Sequence, residues 1–213
     1  MMRALNVLAL GLVTLAASTA SAAIIQGDVA DSLANGAGVN DPTIQPGSFF
    51  FFEQRTYVSV FQLPDVDAIA NPFSAATLSL YLNSAGGTGW VQLAFHGTSA
   101  RVLPTVLGSD AGGGSALNFS LTTSAAVGEF KSISNASLLT FLNTEYAVGA
   151  GANKYVFFSS RPTDVGDASW SFETANSATP ANRPTLDVTV IPEPTSLGLL
   201  GASALFGLRR RRA

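Results

Sequence analysis

Hydrophobic and polar positions alternate in short segments through the middle of the chain. Within residues 76–82, three leucines occupy every second position, which is the pattern of a strand with one buried face. Residues 90–96 alternate in the same way, with Val91, Leu93 and Phe95 on one side. The glycine-rich stretch 86–89 between the two segments favours a turn, so we expect a β-hairpin here.

The same reasoning predicts six further strands and one helix. Ser134 or Asn135 can cap a helix whose Leu138, Leu139 and Leu142 lie on one side. Many short strands with one short helix predict an all-β domain, a jelly-roll-like two-sheet sandwich over residues 23–190. The other strands are expected at residues 48–52, 55–61, 116–121, 155–159, 168–172 and 185–190.

Composition supports one folded domain and excludes several kinds of chemistry. The chain is 47% hydrophobic and 12% charged, which is far from the composition of disordered chains. It has no cysteine, so thiol catalysis and thiolate metal sites are excluded. The formal charge is -3 overall, but residues 23–191 hold 6 basic and 13 acidic residues, a difference of -7. This excess of acid argues against nucleic acid as a partner of the domain.

The N-terminus has the features of a signal peptide over residues 1–22. Arg3 precedes an apolar run, and Ala20 and Ala22 supply the small residues that signal peptidase requires. We therefore expect a signal helix that is cleaved before Ala23. The alternative is an uncleaved anchor, although the apolar run is short for a bilayer span of about 20 residues.

The C-terminal segment 191–213 combines three features in fixed order. Pro192, Glu193 and Pro194 precede an apolar stretch of about 14 residues, which is about 21 Å long as a helix. A basic cluster follows, consisting of Arg209, Arg210, Arg211 and Arg212. Such a cluster holds the end of a transmembrane helix in the cytoplasm. The two prolines keep the chain ahead of that helix extended.

This combination resembles the PEP-CTERM sorting signal of exopolysaccharide-producing bacteria. The resemblance implies processing by the membrane protease exosortase, with Pro192, Glu193 and Pro194 as the recognition element. The alternative is a tail that stays in place as a permanent weak anchor.

The core resembles a second family, the DNRLRE-type sandwich domain of bacterial exported proteins. The segments that carry the resemblance are residues 57–64, 75–82 and 182–190. Here residues 177–182 stand where that family usually has an acidic or Ser-Arg-Glu-like element before Arg-Pro. The resemblance implies a fold like that of carbohydrate-binding modules, used at surfaces or in adhesion without catalysis.

Candidate chemistry within the domain is sparse. His96 is the single histidine, and a strand position facing solvent explains it better than catalysis or metal binding. Three aspartate pairs are candidates for Ca²⁺ binding or glycoside hydrolysis, but aspartates in turns also serve the backbone. These pairs are Asp28 with Asp31, Asp65 with Asp67, and Asp164 with Asp167. We assign no catalytic residue, no metal and no cofactor.

Three hypotheses about function follow. The first is an exported, non-enzymatic surface or extracellular-matrix protein with a structural or adhesive role. The second is a carbohydrate-binding module in which Tyr81, Trp90 and Trp170 form a face that stacks on exopolysaccharide. The third, a glycan-cleaving hydrolase, is disfavoured by the size of the chain and its few polar groups.

Overall fold

The described part of the computed structural model contains thirteen strands, one α-helix and two short 3-10 helices. The structure describes residues 21–27, 32–33, 43–44, 47–49, 53–64, 72–88, 91–111, 114–148, 155–164 and 166–191. The helix is α1, Ala136–Val148. The strands are β1 (Ser21–Gln26), β2 (Ser32–Leu33), β3 (Thr43–Ile44), β4 (Gly47–Phe49), β5 (Glu53–Arg55), β6 (Tyr57–Gln62), β7 (Phe73–Thr88), β8 (Gln92–Arg101), β9 (Ser115–Thr122), β10 (Glu129–Ile133), β11 (Tyr155–Pro162), β12 (Asp167–Glu173) and β13 (Thr185–Val190).

The larger sheet is built on the long strand β7. This strand pairs with β13 over its first half, with β12 over its second half and with β10 in the middle, always antiparallel. The outer neighbours are β1 on β13 and the short strands β3 and β4 on β12, with β5 beyond β4. Among the described residues, eight strands belong to this sheet.

The smaller sheet has the order β2-β6-β11-β8-β9 and is also antiparallel. Its inner face packs against the larger sheet through aromatic rings. Tyr57 of β6 stacks on Phe172 of β12 at 6.0 Å between ring centroids, and Phe95 of β8 meets the same ring edge-on at 6.3 Å. Both sheets thus share one hydrophobic core, which confirms the prediction of a mostly β fold with two sheets.

The alternation seen in the sequence corresponds to burial in the structure. Leu78, Leu80 and Leu82 are no more than 2% exposed, and Leu93 and Phe95 are equally buried. The strand predictions are therefore confirmed at these positions. The predicted hairpin, however, is wrong, because β7 and β8 lie in different sheets.

Gly86 and Gly87, predicted to lie in a turn, belong to strand β7 instead. Gly87 lies opposite Ala168 of β12. Its φ is +127°, and a Cβ at this position would lie 2.0 Å from the carbonyl oxygen of Asp167. Glycine is needed here because the backbone of β12 comes so close, and glycine also tolerates the positive φ.

Helix α1 begins where the sequence predicts. The Oδ1 of Asn135 accepts a hydrogen bond from the Leu138 backbone N–H at 3.0 Å, the bond of an N-cap residue. The side-chain amide N–H of Asn135 also donates to the Leu117 backbone carbonyl at 2.7 Å. This bond holds the start of the helix against β9. Leu138 and Leu142 are completely buried, so one side of α1 closes the core.

The folded unit extends from Ser21 to Ile191. Within the described residues, no helix is both long and apolar enough to cross a membrane. The predicted C-terminal transmembrane helix and residues 1–20 of the predicted signal helix lie outside the described residues. The last two residues of the predicted signal helix, Ser21 and Ala22, are instead the start of strand β1.

Candidate sorting site and surface groups

The chain leaves the domain from a strand that is held on both sides. β13 pairs with β7 along one edge and with β1 along the other. Leu186 and Val188 anchor it in the core, at 0% and 2% exposure. Beyond its end, the Ile191 backbone N–H donates to the Pro72 carbonyl at 2.7 Å. Ile191 is therefore also bound to the folded domain.

The predicted signal-peptidase site lies at the same end of the same strand pair. In the antiparallel register, Ser21 is opposite Val190 and Ala22 is opposite Thr189. Ala22 is exposed, whereas Ala20 lies outside the described residues. Cleavage before Ala23 would leave residues 23–26 of β1 to pair with β13. The described residues next to the two predicted processing points, Ala22 and Val190, thus lie at one end of the domain.

Comparison with protein families identifies the C-terminal segment. Residues 190–212 match the model of the PEP-CTERM protein-sorting motif. These residues are a PEP-CTERM sorting motif. The motif contains Pro192, Glu193, Pro194 and the four arginines from Arg209 to Arg212, all of which lie outside the described residues. It indicates an exported protein that is sorted at the membrane by exosortase.

The PEP-CTERM motif begins inside the folded domain. Its first matched residue, Val190, is the last residue of β13. A search of curated proteins finds no match to this chain. The DNRLRE-type assignment of the core is not confirmed by the family match and stays a prediction.

Two of the three aromatic residues predicted to form a glycan face are described, and they do not share an exposed face. Trp170 is 0% exposed and donates its indole N–H to the Thr122 carbonyl at 3.0 Å, so its expected place on an exposed face is wrong. It lies in the core because its strand turns that side toward the smaller sheet. Trp90 lies outside the described residues. Tyr81 is half-buried and meets Phe130, an exposed ring of β10, edge-on at 5.3 Å.

His96 is more enclosed than its predicted solvent-facing position implies. It lies opposite Ser159 of β11 and Ala116 of β9. Burial, and secondarily the positive charge of Arg161, lower the pKa of the His96 imidazole below its usual value. Among the described residues, neither His96 Nδ1 nor Ser159 Oγ has a hydrogen-bond partner, and both atoms are buried.

The carboxylate pairs fall mostly outside the described residues. This applies to Asp28 with Asp31 and to Asp65 with Asp67. Asp164 and Asp167 are described, and Asp167 is exposed at the start of β12. In the part of the chain that the structure describes, no three histidine, aspartate or glutamate side chains come together as a metal site would require.

The ion pair between Arg101 and Asp110 was not predicted from the sequence. The guanidinium binds the carboxylate through two hydrogen bonds, of 2.8 Å and 2.7 Å. Asp110 is 2% exposed, and the guanidinium lies 3.6 Å from the centre of the Phe157 ring. The available signal was an arginine and an aspartate flanking an apolar segment, Val102 to Leu107, that lacks strand alternation.

A groove of about 340 Å³ runs along α1 beside β9. Hydroxyl groups of Ser115, Ser137, Thr140 and Thr144 line it, together with Glu145. The carboxylate of Glu145 accepts a hydrogen bond from the Ala100 backbone N–H at 2.6 Å. The one acidic group lining this groove therefore helps to hold α1 against β8.

Proposed function

We propose that this protein is a non-catalytic structural or adhesive component of the cell surface or extracellular matrix. The observation that carries the proposal is the position of the PEP-CTERM motif, whose first matched residue is the last residue of β13. Signal peptidase removes the N-terminal segment during export. The C-terminal tail then holds the domain at the membrane until exosortase processes it, and the domain goes on to the surface or the matrix.

The roles of several buried or half-buried polar groups support a structural domain. Asn143 bridges the backbone of Phe73, accepting from its N–H and donating to its carbonyl at 3.0 Å each. Asp110 binds Arg101, and Glu145 binds the backbone of β8. Each of these side chains is engaged in holding one element of the fold to another.

Replacing Pro192, Glu193 and Pro194 together with alanine tests the sorting step. We expect this variant to accumulate in the membrane fraction with its arginine cluster intact. Ser196→Ala, in the same tail but outside the triplet, is the matched control and should be processed normally. Normal release of the triple variant would contradict the assignment of the recognition element.

Deletion of the gene in the native host tests the structural role. Loss of matrix cohesion or of surface adhesion is expected, with restoration by the unmodified chain and not by the triple alanine variant. Unchanged cohesion and adhesion would count against the role. Release of reducing ends from the host's exopolysaccharide by the purified protein would contradict the non-catalytic part of the proposal.

Carbohydrate binding is the second candidate, and the aromatic pair on β7 and β10 favours it. Phe130 is 40% exposed, and the Tyr81 hydroxyl is held by the Gly128 carbonyl at 2.9 Å. An exposed ring on a fixed support suits stacking against a sugar face. If this candidate is correct, Phe130→Ala should reduce retention on exopolysaccharide, and Val127→Ala, an exposed apolar control nearby, should not. Equal retention of both variants would refute it.

A further inference from the structure

The exit of the sorting tail and the loop after β8 lie at the same end of the domain. β7 starts beside the tail exit, since Phe73 is opposite Val190. β7 runs to Thr88, and β8 begins at Gln92 in the other sheet. With three residues between the two strands, β8 starts near the end of β7 and continues to Arg101.

Side-chain contacts through α1 agree with this placement. Asn143 binds both backbone groups of Phe73, and Glu145, two residues later, binds the backbone of Ala100. Residues two positions apart in a helix are separated by about 3 Å of rise. One short part of α1 thus contacts both the start of β7 and the end of β8.

The loop after β8 presents apolar side chains to solvent. Val102, Leu103 and Leu107 are 73%, 66% and 45% exposed. Single exposed apolar residues are ordinary, but several on one short loop form a patch of the kind found at interaction sites. Ile191, at the tail exit, is a further exposed apolar residue of this end, at 39%.

The loop is held in shape by polar contacts around the buried carboxylate of Asp110. Arg101 donates to the Thr105 carbonyl at 3.0 Å in addition to its two bonds with Asp110. Asp110 also accepts a hydrogen bond from the Leu107 backbone N–H at 2.8 Å. The apolar side chains are therefore presented on a fixed loop, and ordering them at an interface costs little further entropy.

We propose that Val102, Leu103 and Leu107 insert into the surface of the lipid bilayer that holds the sorting tail before processing. Six Cα–Cα steps lead from Ile191 to Leu197, the first leucine of the apolar tail. Even fully extended, they span about 20 Å. A tail inserted in the bilayer thus keeps this end of the domain close to the lipid. The inference rests on tail insertion, as the proposed sorting route does.

The charge of the domain favours contact with the apolar acyl chains of the bilayer over contact with anionic lipid headgroups. Residues 23–191 carry an excess of seven acidic residues, from 13 acidic and 6 basic. Such a domain is repelled by anionic lipid. Neutral phosphatidylcholine vesicles are therefore the appropriate probe.

The absence of cysteine from the chain allows single labels to be introduced cleanly. Leu103→Cys carries an environment-sensitive fluorophore on the loop, Val127→Cys carries it on a different loop as the control, and Ala204→Cys reports tail insertion. The tail-bearing protein is isolated from a host lacking exosortase and reconstituted in phosphatidylcholine vesicles. Nitroxide-labelled phosphatidylcholine then quenches any fluorophore in contact with lipid.

We expect quenching at positions 103 and 204 and none at position 127. Quenching at 204 alone would overturn the loop proposal and leave tail insertion standing. Absence of quenching at 204 would overturn both. A blue shift at 103 without lipid quenching would also overturn the proposal, because it would indicate contact with the tail or with a second copy of the chain.

A second measurement does not depend on labels. The double substitution Val102→Asn with Leu103→Asn removes two apolar side chains from the contact. Vesicle partitioning of the tail-bearing protein should then fall roughly tenfold or more. Val127→Asn should leave partitioning unchanged. Equal partitioning of the double variant and the unmodified chain would contradict the proposal.

Discussion

Gly97→Ala should destabilise the domain through a single steric contact. Gly97 lies in β8 and is buried beneath α1. A Cβ added there would lie 2.6 Å from two carbon atoms of the Phe141 ring. Phe141 is 5% exposed and packs edge-on against Phe158 at 5.7 Å. The ring has little room to move, so the helix, the strand or the ring must shift.

The size of the effect follows from two opposing contributions. Forcing an extra methyl group into a packed core costs about 1–3 kcal/mol. Replacing glycine restricts the unfolded chain, which offsets about 0.4–1 kcal/mol. The free energy of unfolding should therefore fall by about 1–2 kcal/mol. For a domain of this size, that lowers the Tm by roughly 2–8 °C.

Thermal and urea unfolding of the processed protein measure this loss. Gly86→Ala is the matched control, because a Cβ there meets nothing within 4 Å, and its stability should be unchanged or slightly raised. Phe141→Leu replaces the ring with a smaller side chain. The double variant Gly97→Ala with Phe141→Leu should therefore lose less free energy of unfolding than the two single variants lose in sum. If Gly97→Ala is as stable as Gly86→Ala, the Phe141 ring does not pack closely on Gly97.

Three further substitutions test other parts of the structure. Asn143→Ala leaves the N–H and the carbonyl of Phe73 without their bridge and should lower the free energy of unfolding by about 2–4 kcal/mol in urea melts. Arg101→Ala leaves the buried Asp110 carboxylate without its cation and should cost on the order of 3 kcal/mol in the same assay. Because the folded-state pKa of His96 lies below its usual 6.5, the unfolded chain takes up its proton first. Stability should therefore fall as the pH drops below 6.5, and His96→Gln should remove that part of the fall.

Each of these expectations has a clear contrary result. Asn143→Ala or Arg101→Ala with unchanged urea midpoints would mean that the buried contacts do not hold the fold. Identical pH profiles for His96→Gln and the unmodified protein would mean that the imidazole is equally easy to protonate in the folded and unfolded states.

Local sequence patterns predicted the elements that have one apolar and one polar face. The alternation of leucines in β7 corresponds to one buried face, and Asn135 caps α1 because its side chain replaces a missing helix hydrogen bond. These features depend on neighbours within a few residues. Such neighbours are visible in a single sequence.

Features set by contacts distant in sequence were missed or misassigned. The glycines after Leu82 suggested a turn, but Gly87 serves the close approach of β12, about 80 residues later. Trp170 was expected at the surface, although its strand turns it into the core. Strand β10, Glu129–Ile133, was not predicted, since only its pairing with β7 defines it as a strand.

The sorting segment was predicted well for a different reason. Its function depends on the order of a short motif, an apolar stretch and a basic cluster, and the matched residues 190–212 contain all three. The finer role of the domain depends on what its surface binds. The exposed residues that bear on this, Phe130 and Val102 among them, carry no distinctive pattern in the sequence.

The termini of the native protein test the central claim most directly. Intact-mass spectrometry on separated membrane and extracellular fractions measures them. Sorting through the PEP-CTERM motif predicts an extracellular chain that begins at Ala23 and ends within residues 192–195. A chain that retains Arg212 and stays in the membrane fraction would contradict exosortase processing and indicate a permanently tail-anchored surface protein.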